Sequence, residues 1–131
     1  MEVDLKPQKG FSPFSADLLP TGFKYPDRFL RLGAELKAYT RLAWWFEDAA
    51  TPAGDFSWKM RHHWSSEGWK LLDTIDPIPF ARKGDWAAYF DGNDHSGDPA
   101  VFVADLGNKA HTYKLRNFDE WFAQALEDSN L

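Results

Sequence analysis

Hydrophobic and polar positions along this chain change period from one stretch to the next, and the changes mark the elements. The clearest period lies near the C-terminal end. Phe118, Trp121, Phe122, Ala125 and Leu126 stand at i, i+3, i+4, i+7 and i+8, one apolar face of a helix. Asn117 suits an N-cap, and Glu120 three residues later completes a capping-box-like pair. The pattern predicts a helix from Phe118 to about Glu127, laid across a sheet with its aromatics in the core.

Between 75 and 115 the period falls to two. Three runs rich in aromatic and β-branched residues (75–82, 86–91 and 99–105) are separated by a Lys83-Gly84-Asp85 turn and a Gly/Asp loop at 91–98. This is the pattern of an antiparallel meander. Trp86, Ala88 and Phe90 point one way, and Ala87, Tyr89 and Asp91 the other. Val101 and Val103 likewise oppose Phe102 and Ala104. Both faces are therefore apolar; one is expected to pack on helices and the other to be at least partly covered. A turn at 106–109 leads to a fourth strand over 110–115. Pro77 and Pro79 bias their neighbours to extended geometry and suggest a sheet edge or a strand entry.

Upstream the signals are coarser. Residues 1–18 hold Pro7, Gly10 and Pro13, which predict an irregular arm pinned by Phe11 and Phe14. The remaining 19–131 form one domain. Pro26-Asp27 opens a helix with Phe29, Leu30 and Leu32 on its apolar side. It stops at Gly33 or runs on to Leu36. The run 39–46 favours a strand, 47–55 a loop, and 57–65 a helix broken near Gly68.

Composition narrows the class. With 131 residues, 44% apolar, including 7 Trp, 11 Phe and 4 Tyr, the chain can bury one sizeable core. It has no Cys, hence no disulfide or thiolate chemistry, which fits a reducing compartment. No apolar run reaches the length of a membrane span, and the first residues lack the basic start and apolar core of a signal peptide. A cytoplasmic location is expected. Net charge is −5 and unevenly placed: residues 1–70 are net +1 and 71–131 net −6. Between Gly84 and Asn108 stand five Asp (85, 91, 94, 98, 105) and no Lys or Arg. Nucleic acid is excluded as a partner for that surface, because phosphate binding needs a basic one. A basic protein would be steered to it. Acidic loops also simply keep an aromatic-rich protein soluble.

The motifs for chemistry are sparse. The loop 91–98 resembles a calcium loop only at its start; counted from Asp91, the sixth position is Ser96 and the twelfth Phe102, where an EF-hand needs Gly and Glu. His62 and His63 are adjacent, so on a helix they face different sides, and no His-Glu-x-x-His pattern exists. His95-Ser96-Gly97 lacks the first Gly and the context of a nucleophile elbow. Asp91 and Asp105 stand at strand ends whose register the sequence leaves open, so a carboxylate pair for hydrolysis cannot be placed. No catalytic residue, cofactor or metal site is expected, and a small hydrolase built on the acidic loop is a minority reading.

Several of these residues resemble the SUKH superfamily, which includes the yeast cell-wall synthesis regulator and many bacterial immunity proteins. The matching features are Leu19-Pro20, Phe23-x-x-Pro26-x-x-Phe29-Leu30-x-Leu32, Trp44-Trp45, and above all Ile78-Pro79-Phe80-Ala81-Arg82 with Gly84-Asp85 and Tyr89-Phe90-Asp91. The closing Asn117-Phe118-x-x-Trp121-Phe122 is similar to the family's terminal helix. The resemblance spans about residues 19–128. It implies an α+β fold, a mixed and mostly antiparallel sheet flanked by helices. It also implies binding without catalysis, commonly the neutralisation of a polymorphic toxin, often a nuclease, by direct contact. A regulatory or scaffolding module of the same fold is the alternative. Residues 56–69 depart from the family pattern in their Trp and His content, as a partner surface would. On this reading Asp91, Asp94 and Asp98 form a charged rim for a basic toxin domain. Trp58 and Trp64 are either core residues or exposed anchors.

Overall fold

A computed structural model describes residues 10–35, 42–63, 72 and 74–129. The arm is irregular and is fixed by its two phenylalanines, Phe11 and Phe14, both buried. Phe11 stacks on Phe46 at 4.8 Å, and its amide donates to the Gly33 carbonyl at 3.2 Å. Helix α1 (Asp27–Glu35) therefore continues through Gly33. Phe29 and Leu32 form its buried side, whereas Leu30, expected with them, is 44% exposed.

The strand expected over 39–46 shrinks, among the described residues, to β1 (Trp45–Phe46). Its aromatics go to packing in place of a longer ladder. Trp44 meets Trp121 edge-on at 5.3 Å, and the Ala43 amide donates to Ser129 Oγ at 2.8 Å. Helix α2 (Pro52–Lys59) starts inside the expected loop and five residues before the expected helix. The overlooked signal is local. Thr51 Oγ1 accepts from the Gly54 amide at 3.1 Å as N-cap, and Pro52 occupies the first helical position, where its missing N–H costs nothing.

The meander forms as the alternation requires: β2 (Pro77–Lys83), β3 (Trp86–Asp91), β4 (Val101–Asp105) and β5 (Tyr113–Leu115), in sheet order β1-β2-β3-β4-β5. Every pairing is antiparallel. Strand β2 is internal in the sheet order, with Pro77 at its entry, one of the two positions expected for the prolines, and β1 pairs only with Ala81 and Arg82. The proline half of β2 has no described strand beyond it, so the missing amides break no ladder bond there. The fourth meander strand starts at Tyr113, later than expected. Residues Lys109–His111 instead make a 3₁₀ turn, with Asn108 Oδ1 accepting from the Ala110 amide at 3.1 Å.

Helix α3 (Phe118–Asp128) closes the chain where the period places it. Asn117 Oδ1 accepts from the Glu120 amide at 3.0 Å, and Glu120 Oε2 reaches back to the Arg116 amide at 3.1 Å. Its buried Phe118, Trp121, Phe122 and Ala125 cover one sheet face, with α1 and the arm beside them. There Phe80 stacks on Phe90 at 4.1 Å and Trp121 meets Phe80 at 4.9 Å. The other face buries Ala87, Tyr89, Ala100, Phe102 and Ala104, with Leu72 among its cover. The result is a small α+β domain. No described helix is long and apolar enough to cross a membrane.

Candidate functional site

The register of β3 against β4 decides where the acidic residues go. Trp86 pairs with Asp105, while Asp91 pairs with Pro77 and its amide donates to the Ala100 carbonyl at 3.0 Å. Asp85 and Asp105 thus sit at one end of the hairpin and Asp91, Asp94 and Asp98 at the other. Five residues of strand, about 17 Å, separate them. The continuous acidic run of the sequence is two corners, and Asp91 and Asp105 are not neighbours.

The corner at 91–98 is held by its own carboxylates. Asp91 Oδ1 accepts from the Asn93 amide at 2.9 Å. Asp94 accepts from the Ser96 amide at 3.0 Å and the Ala100 amide at 3.2 Å, one bond to each oxygen. Asp98 Oδ2 accepts from Asn117 Nδ2 at 3.1 Å, tying the loop to the N-cap of α3. The Gly92 amide donates to the Asp76 carbonyl at 2.9 Å; a Cβ at this position would collide with that carbonyl oxygen. Burial pushes the Asp94 carboxyl up, but the Ser96 hydroxyl, the two amides and nearby His95 outweigh it, and its pKa lies below the ordinary value. Asp98 is exposed and Asp91 and Asp94 are half-buried. Among the described residues no Lys or Arg pairs with any of the three.

At the opposite corner His111 Nδ1 lies 3.2 Å from Asp105 Oδ2, and Asn108 Nδ2 lies 3.3 Å from His111 Nε2. His62 Nε2 lies 3.1 Å from Asp76 Oδ1, and His95 packs against Gly22. The described residues bring no three His, Asp or Glu together at metal-binding spacing.

Trp58 is a core residue, the first of the two readings its sequence left open, and not an exposed anchor. It is 7% exposed, packs on Phe14 at 4.7 Å, and carries the Arg61 guanidinium 3.9 Å above its ring. Trp64 lies outside the described residues. Among the described residues the exposed aromatics are instead Phe56, at 62%, and Trp45, at 46%. Phe56 stands over a groove that is illegible in the sequence without the α2 start. Pro79, Ala81, Ala87 and Tyr89 line its base, Phe56, Ser57 and Met60 its helical wall, and Glu47 and Arg82 its end. The groove is shallow and open to solvent. Two features create it. Ala87 is too short to fill the space, and Gly54 lets α2 touch the Asp48 carbonyl, where a Cβ would collide. Burial raises the Glu47 pKa, against the Ser57 hydroxyl bond and the Arg82 charge, which both lower it.

Comparison with protein-family models, with curated proteins and with solved structures finds no match.

Proposed function

We propose that this chain is a non-catalytic binding protein of SUKH type, an immunity protein that neutralises a basic toxin domain, such as a nuclease, by direct contact. The observation that carries the reading is the 91–98 corner. Three carboxylates sit there without a Lys or Arg partner among the described residues, in a loop already held by hydrogen bonds to its own amides and to Asn117. A preordered anionic loop loses little entropy on binding and steers a cationic surface towards itself. The same carboxylates spend their oxygens on loop amides, so the corner is better suited to contact than to acid–base chemistry.

The test is rescue by co-expression. The candidate toxin domain encoded beside this gene is expressed with and without the chain. Restored growth, with a complex that survives gel filtration and is lost in an Asp91→Lys/Asp98→Lys double variant, is the expected result. A domain that kills regardless, or that forms no complex, contradicts the reading.

A further inference from the structure

We propose that the groove between α2 and the sheet is the anchor pocket of the binding face, seating one apolar side chain of a basic protein partner. The inference rests on the binding-protein reading and deepens it by placing the anchor.

Continuity with the acidic corner is the first support. Tyr89 lines the groove, and Asp91 stands two residues further on the same face of β3, about 7 Å away. Pro79 and Pro77 repeat this step on β2, opposite Tyr89 and Asp91 in register. A partner seated on the corner therefore overlies the groove.

Residue type is the second. Phe56 is the most exposed of the described large hydrophobic side chains, at 62%. Phe46 points into the core, so Trp45 beside it points to the groove side, and Trp45 is the cross-strand neighbour of Arg82. Trp, Tyr, Phe, Met and Arg are the residues enriched at the centre of interfaces. Phe56, Met60, Arg82 and Tyr89 line the groove, with Trp45 beside Arg82.

Charge complementarity selects the occupant. The lip carries Glu47, half-buried beside Arg82, and the corner carries three carboxylates without a Lys or Arg partner among the described residues. The chain as a whole is net −5. The fitting group is an apolar side chain of Leu or Met size, carried within a residue or two of a Lys or Arg on the partner. The corner then governs encounter and salt dependence, and the groove governs the lifetime of the complex.

The experiment measures binding of the full chain to the toxin domain encoded beside its gene. It compares wild type, Phe56→Ala and Leu30→Ala, the last an exposed apolar residue of α1 away from the groove. Phe56→Ala is expected to weaken the complex about 30-fold, mainly through faster dissociation, with an unchanged melting temperature because the side chain is exposed. Leu30→Ala is expected to bind as wild type. Wild-type affinity in Phe56→Ala, or equal losses in both variants, overturns the pocket and leaves the binding-protein reading standing. A wild-type chain that does not bind the domain at all overturns that reading and the pocket with it.

Discussion

Asp94 shows how one side chain can fix a loop. Its two oxygens take the amides of Ser96 and Ala100, and its own amide donates to the Asp91 carbonyl at 3.1 Å. Asp94→Asn replaces one acceptor with a donor facing an amide N–H, and should cost about 1–2 kcal/mol in urea denaturation. The pH dependence has a definite sign. The folded pKa lies below the ordinary 3.8, so the contribution is present above that value and is lost as pH falls through the folded one. Wild type should lose this increment on acidification, and Asp94→Asn should not. Glu47 runs the other way. Its pKa is raised from 4.5 by burial, so the ionised form disfavours folding once pH rises through the folded value. Glu47→Gln should therefore melt higher than wild type at pH 7 and no higher below about pH 4. A charge kept at a cost in stability beside a groove is what a contact residue looks like.

At the level of elements, α3 and the meander were legible because their signals are local and repeated. Five apolar positions at helical spacing and an Asn117/Glu120 pair leave little room for another structure. Trp121→Ala should destabilise by about 3–5 kcal/mol, read from the shift in the denaturation midpoint; a midpoint equal to wild type would contradict its place in the core. The start of helix α2 is hard to read because Trp58 and Met60 have a mixed period of their own, whereas the start signal is Thr51-Pro52, seven residues before Trp58. That mixed period hides Phe56, Ser57 and Met60 as one wall. The exposed anchor was sought among tryptophans, yet Trp58 is consumed by Phe14 and Arg61. The fate of the acidic run was illegible for a different reason. Composition counts charges along the chain, and only strand register tells which end of a hairpin each one occupies.

For the whole molecule, the uneven charge and the uneven cover of the sheet coincide. One face is filled by α1, α3 and the arm. The other carries the groove, walled by α2, and the 91–98 corner at adjoining positions, with Tyr89 and Asp91 linking them along β3. On the proposed function, recognition by charge at the corner and by apolar contact in the groove gives one face two jobs. Raising salt should weaken the complex mainly by slowing association, whereas Phe56→Ala should act mainly on dissociation.

Hydrogen exchange on the free chain and on its complex with the toxin domain tests this assignment most directly. Slowed exchange at residues 91–98 and at 54–60 together, with α1 unchanged, is the expected result. Protection confined to α1 would place the partner on the opposite surface and contradict the assignment of the binding face.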